Sequence, residues 1–170
     1  RMRPYAEKLQ GVLSNVSASL DSSDGVYSQK REVKRVLLVA ITSNRGLCGG
    51  FNNNIVKAAN AAMTLKGVEY HVLGLGKKSH EAFAKRSEVT PVGFDEDAWK
   101  IFDDLNFGRA EKVADDIMKQ FSGGQYDAVH IIYNRFVNAA AQDVTTENFL
   151  PLMALPSNTE TKTDTEYLFE

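Results

Sequence analysis

The sequence predicts an α/β sandwich on a mostly parallel sheet, and three observations carry that expectation. Val36-Leu37-Leu38-Val39-Ala40-Ile41 is an unbroken apolar run with β-branched residues, the composition of a strand covered on both faces. Ser43-Asn44-Arg45-Gly46-Leu47-Cys48-Gly49-Gly50 interrupts it, and Phe51, Ile55, Val56 and Ala59 then recur at helical spacing. Strand-like and helix-like stretches alternate from there, the order that lays helices over a parallel sheet.

Taken in order, the chain opens with a helical pattern. Met2, Ala6, Leu9, Leu13, Val16 and Leu20 are spaced 4, 3, 4, 3 and 4 residues apart, the a/d rhythm of a coiled-coil seam. Pro4 is compatible with it in the first helical turn. The stripe is too short to settle a coiled coil. A surface helix packed on its own domain and a helix whose mate lies elsewhere both fit. Asp21-Ser22-Ser23-Asp24-Gly25 ends it with turn chemistry. The expected division is a helix over 1–21, a linker over 22–32, a globular unit over 33–156 and a polar tail over 157–170.

Within the globular unit, Val68 to Leu75 reads as a second strand and Lys77 to Arg86 as a short helix. Val89 to Phe94 is a weaker strand, demoted by Pro91. Asp95-Glu96-Asp97 suits a helix N-terminus, where the macrodipole favours negative charge. Trp99, Ile101, Phe102 and Leu105 follow as its apolar contacts. Gly108 to Phe121 is an amphipathic helix with Val113, Ile117 and Phe121 on one face, stopped by Gly123-Gly124. Asp127 to Phe136 is another buried strand, and Ala139 to Phe149 pairs beside it as a hairpin.

Composition narrows the function classes. The 170 residues are 43% hydrophobic and 25% charged, ordinary for one globular domain. Twenty Lys and Arg against 22 Asp and Glu leave a net charge of −2, without the basic footprint of a nucleic-acid binder. No apolar run approaches the roughly 20 residues a membrane helix needs, so direct membrane insertion is not expected. The single cysteine excludes an internal disulfide framework and suits a reducing compartment.

The glycine turn admits three chemical readings. A P-loop requires Gly-x-x-x-x-Gly-Lys-Ser/Thr, and no lysine-hydroxyl pair follows Gly50. Neither Gly46 to Gly49 nor Gly74 to Ser79 supplies Gly-x-Gly-x-x-Gly, although backbone amides at the following helix could hold an anion. Gly46-Leu47-Cys48-Gly49-Gly50 also satisfies Gly-x-Cys-x-Gly, a nucleophile elbow with a thiol, which would make the chain a small cysteine-dependent hydrolase. Its base would be His71, His80 or His130. The strand ends several residues before Cys48, however, and no ordered acid and histidine complete a triad. A cysteine between glycines reads more simply as a buried packing residue. His71 and His130 lie inside apolar strands as core histidines. Asp103-Asp104 and Asp115-Asp116 are adjacent on helices and splay apart. No metal or cofactor site is expected.

The words Ser43-Asn44-Arg45-Gly46-Leu47-Cys48-Gly49-Gly50-Phe51-Asn52 resemble the signature of the gamma subunit of the F-type ATP synthase. Tyr133-Asn134-Arg135-Phe136, then Gln142 and Phe149-Leu150-Pro151-Leu152, resemble that family's second landmark. Arg3 to Leu9 is similar to the end of its N-terminal helix, and Tyr167-Leu168-Phe169-Glu170 to the entry into its C-terminal helix. Asn44, Phe51 and Asn53 depart from the commoner acid, leucine and threonine.

The resemblance implies the Rossmann-like three-layer foot of a rotor stalk, preceded by the stub of a coiled-coil helix whose seam is Ala6, Leu9, Leu13, Val16 and Leu20. The chain stops at Glu170, before the family's second long helix begins. The implied role is non-catalytic: coupling rotation of the proton-driven c-ring to conformational change in the alpha and beta subunits, with the foot docking the epsilon subunit and the c-ring. Tyr167 and Phe169 would meet epsilon or the c-ring, or else pack a terminal strand. Arg45 would make a polar contact to a neighbouring segment or subunit, within a signature turn of Arg45, Gly46, Leu47, Cys48, Gly49, Gly50 and Asn52. The expected location is the cytoplasmic face of a bacterial inner membrane, with an organellar matrix or stroma face as the alternative.

Overall fold

The computed structural model describes residues 25–138 and 141–152. The helix and seam expected over 1–21, the tail over 157–170, and Tyr167 and Phe169 with it, lie outside the described residues. A turn at residues 26–28 leads toward β1 (Arg35–Ile41), the central apolar run. Its alternate residues face opposite ways, as a strand requires. Val36, Leu38 and Ala40 enter one core, Leu37 and Val39 the other, and all five are buried.

Two parallel partners flank β1. β2 (Glu69–Leu75) pairs along its full length on one side, and β3 (Ala128–Phe136) pairs on the other. β4 (Gln142–Leu150) runs antiparallel to β3, the expected hairpin, so the sheet order is β2-β1-β3-β4. Helices α1 (Phe51–Ala62) and α2 (Lys77–Phe83) bury Ile55, Ala59 and Phe83 against one face. Helix α3 (Phe107–Ser122) and a 3-10 segment, Ala98–Asp104, bury Ile117, Phe121 and Ile101 against the other. The result is a three-layer α/β sandwich. Asn106 caps α3 by accepting from the Arg109 amide at 3.0 Å, a bond that satisfies an otherwise orphaned helix donor. Gly124, at φ +76°, turns the chain out of α3.

Three local expectations are corrected. Residues 89–94 form no strand. After a 3-10 turn at Ser87–Val89, Pro91 removes a ladder donor and Gly93 takes φ +82°. The Val92 amide turns instead to the Tyr126 hydroxyl at 3.4 Å. The acidic run Asp95 to Asp97 leads into the 3-10 segment, not an α-helix. Asp95 accepts from the Asp97 amide and pairs with Lys112 at 2.6 Å, which holds its carboxyl below the ordinary range. Asp103 and Asp104 therefore lie on 3-10 backbone, and Phe102 and Leu105 are exposed while Ile101 is buried. Helix α2 ends at Phe83, three residues before the expected Arg86, whose backbone has left helical geometry.

Candidate functional site

The glycine turn sits at the C-terminal end of β1, between two parallel neighbours reached by crossovers on opposite sides. That is the switch point where open α/β sheets form a crevice. Here the crevice measures about 660 Å³ and is lined by Ser43, Asn44, Arg45, Phe51, Phe102 and Tyr133, among others. Both sequence landmarks border it. Asn134 Nδ2 donates to the Phe51 carbonyl at 2.9 Å, tying the end of β3 to the first residue of α1 across 83 positions of sequence.

Asn52 organises the turn from inside. Its Oδ1 accepts from the Ser43 amide at 2.9 Å, and its Nδ2 donates to the Arg45 carbonyl at 2.8 Å and to Cys48 Sγ at 3.1 Å. The Ser43 hydroxyl donates to the same Arg45 carbonyl at 2.8 Å. Asn44 bridges outward: its Oδ1 accepts from the Lys77 amide, and its Nδ2 donates to Asp103 at 2.7 Å. Gly49 adopts φ +58°, which glycine takes without penalty. Leu47 adopts φ +57° with a fully exposed side chain, a conformation that is uncommon outside glycine.

Beneath the turn, Thr42 and Ser79 are buried and satisfy each other. Thr42 Oγ1 accepts from the Ser79 amide at 2.8 Å, and the Ser79 hydroxyl donates back to the Gly76 carbonyl at 3.0 Å. Gly76 has φ +98° and lies so close to the Thr42 carbonyl that a Cβ would overlap it. These contacts clamp the ends of β1 and β2 together.

Cys48 is exposed, which corrects the reading of it as a packing residue. The turn is held by Asn52, a polar side chain that took the buried position instead. The hydrolase reading also ends here. Cys48 Sγ has Asn52 and the Arg45 carbonyl as polar partners, and every histidine is engaged elsewhere or half-buried in the sheet. His71 bonds Tyr126 at 2.8 Å and Glu69 at 2.9 Å, His80 stacks on Trp99 at 4.8 Å, and His130 lies in β3. Arg45 contributes its carbonyl to the turn, while no described residue pairs with its guanidinium.

The second landmark divides. Tyr133 and Asn134 border the crevice, and the Tyr133 hydroxyl donates to Glu147 at 2.7 Å, a bond to a carboxylate that raises its pKa. Arg135 pairs with Asp143 across the hairpin at 3.3 Å, and Phe136 faces Gln142 in register near the hairpin tip. Sequence reasoning missed the Thr42–Ser79 clamp and the contribution of Phe102. The clamp had one available signal, a threonine ending an apolar strand and a serine after Gly74-Leu75-Gly76. Among the described residues no group of three or more His, Cys, Asp or Glu converges on a metal position. No described helix is long and apolar enough to cross a membrane.

A family model described as ATP synthase matches residues 1–170. The chain belongs to that family. It is 42% identical over its full length to the ATP synthase gamma chain of Cytophaga hutchinsonii, and 45% identical over 99% of its length to that of Flavobacterium johnsoniae. It spans 59% and 58% of those two relatives, so it corresponds to about three fifths of a gamma chain. The fold is similar to a chain from the central stalk and c-ring of the Tetrahymena thermophila mitochondrial ATP synthase, with a TM-score of 0.58 and 25% identity over 88% of this chain and 67% of that one.

Proposed function

We propose that this chain is the foot of the rotor in a proton-translocating ATP synthase, a non-catalytic element that passes rotation of the c-ring to the shaft inside the alpha and beta subunits. The observation that carries the reading is similarity, along the whole of this chain, to about three fifths of gamma chains, together with a fold similar to a central-stalk chain. In this reading catalysis resides on the beta subunits, and the foot needs stiffness and docking surfaces in place of a reactive group. A sheet packed on both faces supplies the stiffness, since interiors at crystal-like density transmit strain. Fold alone does not fix function, so a nucleotide-binding architecture without a nucleotide fingerprint is consistent with a mechanical part.

The seam Ala6, Leu9, Leu13, Val16 and Leu20 is the lower end of the coiled coil through which the alpha and beta subunits are reached. Tyr167 and Phe169 face the epsilon subunit or the c-ring. The protein lies peripherally on the cytoplasmic face of a bacterial inner membrane. The deciding experiment mixes this chain with purified epsilon subunit and measures binding by calorimetry. Saturable one-to-one binding that weakens with Tyr167→Ala and Phe169→Ala is expected. Absence of binding, or ester turnover abolished by alkylating Cys48, overturns the proposal.

A further inference from the structure

β2 is an outer strand of the order β2-β1-β3-β4, so among the described residues one of its long sides has no strand beside it. The ladder to β1 shows which residues face that side. The Glu69 amide donates to the Lys34 carbonyl at 2.8 Å, and the Leu75 carbonyl accepts from the Thr42 amide at 2.9 Å. Odd-numbered residues of β2 therefore direct their backbone groups at β1, and Val72 and Gly74 turn theirs outward. Gly76, next in that series, donates outward to the Trp99 carbonyl at 3.0 Å. No described residue pairs with the outward groups of Val72 and Gly74, although Val72 is buried.

Residues 89–99 cross this side of β2. They are tied at one end by the Val92 amide on the Tyr126 hydroxyl, and at the other by Gly76 on Trp99. Against Val72 and Gly74 lies a cavity of about 440 Å³, walled by Phe83, Val89, Pro91, Phe94 and Trp99. Apolar and aromatic walls of that extent around a few fixed polar groups are the anatomy of a small-molecule site. Asp95, Glu96 and Asp97 also line it. Lys112 pairs with Asp95 at 2.6 Å and Lys100 with Asp97 at 2.8 Å, while Glu96 has no ion-pair partner among the described residues.

The order of the open groups limits the ligand. The Val72 carbonyl accepts, and the Gly74 amide, next on the same edge, donates. A planar ring with an amino N–H beside a ring nitrogen complements that pair, and a flat ring suits aromatic walls. The free Glu96 carboxylate disfavours a phosphate and tolerates a neutral or positively charged ring. We infer that this cavity binds a phosphate-free, planar nitrogen heterocycle, its amino group on the Val72 carbonyl and its ring nitrogen on the Gly74 amide. The cavity shares no lining residue with the crevice at the glycine turn. It also stands apart from the rotor reading, so failure to bind such a ring leaves the epsilon experiment untouched.

Trp99 is the one tryptophan of the chain and lines the cavity, so its fluorescence reports occupancy. The full chain is titrated with adenine, with the dimethylamino analogue of adenine, which has no amino hydrogen, and with ATP. Saturable quenching by adenine is expected, with affinity about tenfold lower for the analogue. ATP should bind more weakly than adenine, and Glu96→Gln, at an exposed position, should narrow that difference. The amide resonance of Gly74 should shift as adenine saturates. Absence of quenching, equal affinity for adenine and its analogue, or an unmoved Gly74 amide overturns the inference. ATP binding as tightly as adenine overturns it as well.

Discussion

Asn52 does more for the glycine turn than the glycines do. Its side chain satisfies the Ser43 amide and the Arg45 carbonyl while donating to Cys48 Sγ. Asn52→Ala removes all three contacts and leaves the part-buried Ser43 amide without this partner, so unfolding in urea should show a loss of about 1–3 kcal/mol. Alkylation of Cys48 should also accelerate as the turn loosens. Cys48→Ser, at an exposed position, should stay within about 0.5 kcal/mol of the parent. Equal costs for the two substitutions would refute this ranking. Gly76→Ala combines a left-handed φ with overlap on the Thr42 carbonyl, and should cost on the order of 2–3 kcal/mol in the same assay. The residue words of the turn were legible in the sequence, but their hierarchy was not. An asparagine and a cysteine four residues apart on a turn-helix junction look interchangeable until the backbone shows which one points inward.

At the scale of elements, the sequence announced what periodicity can announce. The continuous run of β1, the amphipathic α3 and the β3–β4 hairpin all appear where apolar spacing placed them. Residues 89–105 did not, because their structure depends on distant partners. Val92 follows the Tyr126 hydroxyl, Asp95 follows Lys112, and Asn44 draws Asp103 toward the turn. Tyr126 is fully buried and its hydroxyl also meets His71, so Tyr126→Phe should unsettle this strap as well as β2. The expected cost is about 1–3 kcal/mol, with faster amide exchange at Val92 as its local signature. His130 supplies the pH dependence. Burial holds its imidazole below the ordinary value of 6.5. As pH falls below that value the unfolded chain takes up the proton first, so stability declines through the interval between the two pKa values. His130→Gln should flatten the fall in urea midpoint between about pH 7.5 and about pH 5.5 relative to the parent. An unchanged slope would place the acid sensitivity in another group.

The whole molecule turns on a single strand. β1 contributes Val36, Leu38 and Ala40 to the core beneath α1 and α2, and Leu37 and Val39 to the core beneath α3, so neither layer has a private foundation. A sheet built this way cannot loosen on one face while staying firm on the other. The alternation was visible in the sequence, but the sharing was not, since it follows from β1 occupying the centre of the order β2-β1-β3-β4. Leu38→Ala and Leu37→Ala each empty a fully enclosed site, on opposite faces, and each should cost about 2–5 kcal/mol. The sharper expectation concerns where the loss is felt. Because the two cores meet in one backbone, Leu38→Ala should raise amide exchange in α3 by the same factor as in α1, and Leu37→Ala should do likewise. Unfolding followed by Trp99 fluorescence and by far-ultraviolet circular dichroism should remain coincident in both variants, the mark of one cooperative unit. If Leu38→Ala loosened α1 and left α3 at the parent's rate, the layers would be separable. The sheet would then give on one face and hold on the other.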